Sequence, residues 1–256
     1  MNNGVQTIEP TQSGQITIGA CYNQCFLSDC MEVMKQYPDN YFDLAIVDPP
    51  YGINAPNMQM GTNLNRKGKG QYPGESTASK MKKGRLNGGS GKLKNRALNT
   101  MSCDWDYEKP TAEYFKELFR VSKNQIIWGG NYFDLPPTRC IICWDKCQPW
   151  DNFSQWEMAW TSFDKPAKMY KISNTGGNNN ETKIHPTQKP VDLYDNIYRD
   201  FTNEGMKVID THLGSGSNRI SAFKAKCEFV GCEIDNNYYS LMETRYNLFT
   251  RQLRLF

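Results

Sequence analysis

The sequence predicts an α/β fold: a largely parallel sheet with helices on both faces. Three stretches carry that expectation. Leu44-Ala45-Ile46-Val47 is an unbroken apolar run, read as a buried strand that Pro49 and Pro50 end abruptly. Met206 to Asp210 is a second strand, followed by the glycine-rich turn Thr211 to Ser217 and a helical stretch from Asn218 to Lys226. Glu228 to Glu233 is a third strand, and it ends in an acid. Strand, tight turn, helix and strand make the repeating unit of open α/β sheets, which bind ligands at the carboxyl ends of their strands. The 256 residues suffice for one such domain with a sizeable core and an insertion.

The remaining elements follow along the chain. Residues 1–15 are polar, carry no apolar signal region, and are expected to form a flexible lead. Ile16 to Ala20 is a short strand. Ser28 is expected to cap a helix through Tyr37, with Met31, Val33 and Met34 on its apolar side. Tyr41 to Val47 is the strand leading to Asp48. Thr111 caps a helix through Val121, where Tyr114, Phe115, Leu118 and Phe119 have helical spacing. Strands are expected at Gln125 to Trp128, Arg139 to Trp144 and about Glu157 to Ser162. Residues 145–156 have few regular signals, and the Asn/Gly-rich run Asn174 to Asn180 reads as a turn or mobile loop. Pro190 suits the first turn of a helix from Val191 to Phe201. Asp235 is a candidate cap for a last helix through Leu248.

Mean hydropathy is −0.70, and no run of about 18 apolar residues is present, so no membrane helix and no membrane partner are expected. Nine cysteines, an odd number without a secretory signal, point to a reducing cytoplasm. Cys140, Cys143 and Cys147 fit no usual zinc spacing, and Cys140 to Trp144 reads as a buried strand, so no metal is expected. Cys147 is followed by Gln148 and Pro149, the wrong order for a Pro-Cys nucleophile. The formal net charge of +3 is unevenly spread. Arg66, Lys67, Lys69, Lys80, Lys82, Lys83, Arg85, Lys92, Lys94 and Arg96 share residues 66–96 with one acid, Glu75. That segment is +9 and leaves −6 for the rest. With seven glycines and few apolar residues, it has the composition of a mobile loop. It begins soon after Asp48, where a basic segment would track phosphates and order on nucleic acid.

Four short motifs carry chemistry. Asp48-Pro49-Pro50-Tyr51 leaves the end of a strand and offers a carboxylate, a carbonyl and a flat ring. Those groups suit a planar base with an exocyclic amine, although an Asp-Pro turn also closes ordinary strands. The turn Asp210-Thr211-His212-Leu213-Gly214-Ser215-Gly216-Ser217 lets a ligand approach the backbone. A nicotinamide-binding turn would need a third glycine at position 219, which is Arg. Glu233 is placed to accept hydrogen bonds from ribose hydroxyls. His185-Pro186-Thr187-Gln188-Lys189-Pro190 leads into the helix at Val191.

Asp48-Pro49-Pro50-Tyr51 resembles the catalytic tetrad of DNA amino-methyltransferases, which methylate adenine N6 or cytosine N4. The turn after Asp210 resembles their S-adenosyl-L-methionine (AdoMet) motif, with Thr211 and His212 where Pro and Phe are usual. The block from His185 to Pro190 resembles the segment preceding that motif in one branch. Tetrad first and AdoMet turn last is the permuted order of the β group, and the resemblance spans residues 16–250. Trp128-Gly129-Gly130-Asn131-Tyr132-Phe133 and Glu157-Met158-Ala159-Trp160 also look similar to that group.

The resemblance implies a Rossmann-like AdoMet methyltransferase domain over residues 16–256. It further implies a basic insertion at 52–104 and a small target-recognition region at 145–184. AdoMet would lie on the Asp210 to Ser217 turn, with Glu233 on its ribose and Thr187 and Lys189 near its methionine carboxylate. Asp29 would approach the cofactor adenine, unless it serves only the first turn of its helix. Asp48 and the Pro49 carbonyl would accept from the target amine while Tyr51 stacks on a base flipped out of the helix. Asp at the first tetrad position favours adenine N6. Cytosine N4, RNA adenine and a non-catalytic nucleic-acid-binding subunit remain as rivals, and Arg219 speaks against a dinucleotide oxidoreductase. The expected partner is double-stranded DNA in a bacterial or phage-infected cytoplasm. By likeness alone, a homodimer and a cognate restriction endonuclease are candidate partners.

Overall fold

A computed structural model describes residues 23–53, 106, 108–148, 154–174 and 183–252. The predicted strand at Ile16 to Ala20, the basic segment and most of the Asn/Gly run lie outside the described residues. In chain order the elements are β1 (Gln24–Leu27), α1 (Cys30–Met34), β2 (Leu44–Val47), α2 (Ala112–Val121) and β3 (Gln125–Trp128). Then come β4 (Ile141–Asp145), β5 (Trp156–Thr161), β6 (Lys168–Lys171), α3 (Val191–Phe201) and β7 (Lys207–Asp210). The last three are α4 (Ser217–Lys224), β8 (Glu228–Glu233) and α5 (Asn236–Gln252).

The eight strands form one sheet in the order β1-β8-β7-β2-β3-β5-β4-β6. All run parallel except β5, which is antiparallel to both its neighbours. The four residues of β2 are 0–1 % exposed, as expected of a strand covered on both sides. Its side chains alternate between faces. Leu44 and Ile46 join a core with Leu193, Ile197 and Phe201 of α3 and Ala222 of α4. Ala45 and Val47 join another with Val33 and Met34 of α1 and Tyr114, Leu118 and Val121 of α2.

From β7 the chain passes through α4 to β8 on one side, and from β2 through α2 to β3 on the other. The connections therefore diverge between β7 and β2, and this is where such sheets open a crevice at their carboxyl edge. Asp48, Asp210 and Glu233 end three parallel strands on that edge.

Several boundaries differ from the sequence expectation. Asp29, not Ser28, caps α1, its Oδ1 accepting from Met31 N at 2.7 Å. That helix ends at Met34, short of Tyr37. β2 starts at Leu44, while Phe42 makes only an isolated bridge to Ser122. β1 and β6 have no counterpart in the described part of the sequence reading. Asp235 does cap α5, its Oδ1 accepting from Asn237 N and Tyr238 N. Among the described residues no helix is long and apolar enough to cross a membrane.

Candidate active site

Asp48 leaves β2 into a cluster of buried polar groups. Tyr51 donates its hydroxyl to Asp48 Oδ1 at 2.6 Å, and Lys189 Nζ donates to Asp48 Oδ2 at 2.5 Å. Lys189 also lies 3.3 Å from Glu157 Oε2, and Lys146 Nζ lies 2.5 Å from Glu157 Oε1. Both lysine side chains are 3 % exposed. Burial alone would lower the Lys189 pKa, but Asp48 and Glu157 outweigh it and hold the ammonium above its ordinary value. Burial would raise Glu157, but Lys189 and Lys146 outweigh it and keep that carboxyl below its ordinary value.

The tetrad backbone is held by Asp106, whose Oδ1 accepts from Tyr51 N at 2.6 Å and Gly52 N at 2.9 Å. The Tyr51 ring stacks on Tyr132, with centroids 5.1 Å apart and planes 15° apart. It also covers Gly129, where a Cβ would lie 2.3 Å from a ring carbon and φ is +68°. No other residue leaves that space at that backbone angle, which gives the Trp128 to Phe133 block a physical purpose.

The turn after β7 builds the opposite wall. Gly216 has φ of +72°, and a Cβ there would fall 2.4 Å from Met242 Cγ. Glu233 pulls the turn onto β8: Gly214 N donates to its Oε2, and Ile234 N and Asp235 N donate to its Oε1. Burial still raises the Glu233 carboxyl above its usual value. Asn218 Nδ2 donates to both Ile46 O and Asp210 Oδ2, tying the ends of β2 and β7 together. Asp210 is buried, and desolvation pushes its pKa to about 7 despite hydrogen bonds from His212 N and Asn218.

Between these walls lies a cavity of about 360 Å³, within the usual range for small-molecule sites. Asp48, Pro50, Thr187, Lys189 and Glu233 line it, as do His212, Leu213, Gly214, Ser215 and Ser217 of the turn. Tyr194, Asn218 and Tyr238 line it too, although the sequence did not single them out. So does His185, whose ring packs 4.4 Å from that of Tyr238 and whose pKa burial lowers to about 3.

Other expected residues are placed differently. Asp210, Gly216 and Thr211 support the cavity from outside its lining. Thr211 Oγ1 faces Tyr114 OH at 2.6 Å. Asp29 serves as a helix cap and does not line the cavity. Lys189, expected beside a ligand carboxylate, turns its ammonium to Asp48 and Glu157, because two anions compensate its burial. Tyr51, expected on a ligand ring, stacks on Tyr132. Lys146 and Asp106 escaped the sequence reading, and Glu157 entered it only within the block from Glu157 to Trp160 with no role assigned; Asp106 meets Tyr51 and Gly52, and Glu157 meets Lys189, from distant parts of the chain. Among the described residues no group of three or more His, Cys, Asp or Glu could hold a metal ion.

A family model described as DNA methylase, for N6 and N4 methyltransferases, matches residues 42–244. Type II methyltransferase M.BglII of Bacillus subtilis is 22 % identical over 248 residues, covering 86 % of this chain and 67 % of that protein. Among solved structures, the PvuII DNA methyltransferase (cytosine-N4-specific) aligns with a TM-score of 0.51 at 13 % identity, over 88 % of this chain and 87 % of that one. This likeness supports the Rossmann-like methyltransferase fold. The M1.HpyAVI–SAM complex aligns with a TM-score of 0.48 at 16 % identity, over 88 % of this chain and 98 % of that one.

Proposed function

Because the chain belongs to the DNA methylase family of N6 and N4 methyltransferases, we propose that it methylates the exocyclic N6 of an adenine flipped out of duplex DNA. The family is AdoMet-dependent, and AdoMet is the methyl donor. One observation carries the proposal: the Asp48 carboxylate and the glycine-rich turn line the same cavity. Donor and acceptor would therefore meet without a rearrangement of the sheet.

The cavity suits AdoMet in its donor set. A carboxylate has about four acceptor sites, and Glu233 uses three on backbone N–H groups, which leaves one for a ribose hydroxyl. The turn from Leu213 to Ser217 would hold the cofactor from below, and Thr187 would approach its methionine end. When bound, AdoMet supplies an electrophilic methyl group on a sulfonium.

Asp48 has two engaged acceptor sites, so two remain for the N–H groups of an adenine amine. Accepting from that amine favours a pyramidal nitrogen with an available lone pair. Flipping the base costs a few kcal/mol, and aligning it in the cavity supplies much of the rate. No strong base is needed before attack, since the proton leaves afterward. Tyr51 would exchange its stack on Tyr132 for the base.

The basic segment is proposed to follow the DNA backbone. Its described flanks are pinned together where Asp106 accepts from Tyr51 N and Gly52 N, and Tyr51 in turn donates to Asp48. Cytosine N4 is the second reading, because the same carboxylate accepts from that amine.

The test is methyl transfer from labelled AdoMet to unmodified duplex DNA, followed by nucleoside analysis. N6-methyladenine is expected. N4-methylcytosine would overturn the base assignment, and no transfer would overturn the reading. Asp48→Ala should abolish transfer while AdoMet binding persists; unchanged turnover would remove Asp48 from the chemistry.

A further inference from the structure

We infer that Glu157 and Lys146 are positioning residues that fix the Asp48 carboxylate through Lys189. The inference rests on the reading of Asp48 as the group that accepts from the target amine. It concerns two residues which that reading does not use.

Four chain segments converge on this array. Asp48 follows β2, Lys189 precedes α3, Glu157 belongs to β5 and Lys146 follows β4. Charges alternate along it: Asp48, Lys189, Glu157, Lys146, with successive separations of 2.5, 3.3 and 2.5 Å. Lys189 is further confined over the Trp128 ring, 5.0 Å from its centroid, and over Tyr51 at 5.7 Å. The other titratable groups around it, Tyr51, His185 and Tyr194, are neutral. Burial holds both phenols well above their ordinary value and the imidazole near 3.

Stability alone is a weak reason for such an array, because apolar side chains fill buried space at least as well as ion pairs do. What distinguishes this one is its end point, a carboxylate on the wall of the cavity. Lys189 can hold Asp48 in one rotamer only if its own head is fixed, and Glu157 fixes it. Lys146 in turn fixes Glu157 by engaging Oε1, while Lys189 engages Oε2. Placement matters here, since a shift of about 1 Å at a reacting group costs on the order of 100-fold in rate.

Glu157→Gln removes one anion from beside two buried ammonium groups and leaves Asp48 as the carboxylate on Lys189. Three effects are expected. The kcat for methyl transfer falls about 10- to 100-fold. The AdoMet Kd, measured by calorimetry, changes by less than about two-fold, because Glu157 does not line the cavity. The rate also acquires an alkaline limb, because Lys189 then loses its proton at lower pH. Lys146→Met retains Glu157 beside Lys189 and should show no such limb. Glu157→Asp retains the charge and should recover part of kcat without the limb. If Glu157→Gln does not fold, Glu157→Asp carries the test, and a wild-type kcat in it overturns the inference.

Titration of the Lys189 side-chain nitrogen by NMR needs no turnover. Its midpoint should fall in Glu157→Gln, and an unmoved midpoint with an unchanged pH profile would overturn the inference while methylation stands. Absence of methyl transfer by the wild-type protein would instead remove the functional reading, with the titration still deciding the linkage.

Discussion

Tyr114, Thr211 and His212 form a chain of polar atoms beneath the glycine-rich turn. Tyr114 OH lies 2.6 Å from Thr211 Oγ1, which lies 2.9 Å from His212 Nδ1. Three proton arrangements fit the distances. In one, the phenol donates to Thr211 and Thr211 donates to Nδ1. In another, His212 donates to Thr211 and Thr211 donates to the phenol. In the third, the phenol and Nδ1 both donate to Thr211 Oγ1. The second leaves the hydrogen of the buried phenol, and the third that of the buried Thr211 hydroxyl, without a partner in this chain of atoms, at a cost of about 1–3 kcal/mol. The first therefore prevails, and Nε2 carries the imidazole proton on a ring that lines the cavity. Burial lowers the His212 pKa to about 4, against a weak opposing pull from Asp29, so the ring is neutral at pH 7. Nitrogen-15 NMR should find the Nε2–H tautomer, with Thr211→Val releasing that preference; an Nδ1–H ring in the unaltered protein would sink the assignment. Sequence reasoning assigns all of Asp210 to Ser217 to the ligand. It cannot separate Thr211 from His212, because Tyr114 lies 97 residues away from the hydroxyl it meets.

Asp29 illustrates the same limit in a short helix. In the sequence the acid reads as a cofactor contact or as a first-turn residue of a helix capped by Ser28. The structure makes it the cap of α1, accepting from Met31 N, while Ser28 N donates to Glu233 O. Asp29→Ala should cost about 1 kcal/mol of stability, and Asp29→Asn should restore most of it. AdoMet affinity should be unchanged in both. A several-fold weaker Kd in the absence of a stability loss would return Asp29 to the cofactor. Strands at the centre of the sheet are legible in the sequence: β3 and β8 are anticipated to the residue, and β2 and β7 within a few positions. Each is bounded by turn chemistry and buried almost throughout. The edge strands are not legible. In β6, Lys168, Met169 and Lys171 are exposed and Tyr170 is buried, so the pattern offers one apolar anchor and reads as a connector. β1 is four residues long with none buried. Such strands are set by a neighbour's unpaired edge rather than by their own periodicity.

The chain order and the sheet order of this protein are complementary. The tetrad comes early and the glycine-rich turn comes late, yet β2 and β7 are hydrogen-bonded neighbours. Motif resemblance leads one to expect this adjacency; spacing could not supply it. Charge is divided just as sharply, with +9 in residues 66–96 and −6 in the remainder. DNA affinity is proposed to draw on the basic segment because of this division, and the described flanks of that segment are held together by Asp106, Tyr51 and Gly52. Replacing its ten Lys and Arg with Gln should weaken DNA binding and reduce the salt dependence of the affinity. The slope of log K against log salt should become shallower by about 0.9 for each phosphate that is no longer neutralised. AdoMet binding should be unaffected, since Asp48, Glu233 and the cavity-lining residues of the turn from His212 to Ser217 are left in place. An unchanged affinity and slope would mean that DNA is held elsewhere. Weaker binding with an unchanged slope would mean that the segment acts on DNA by means other than phosphate pairing.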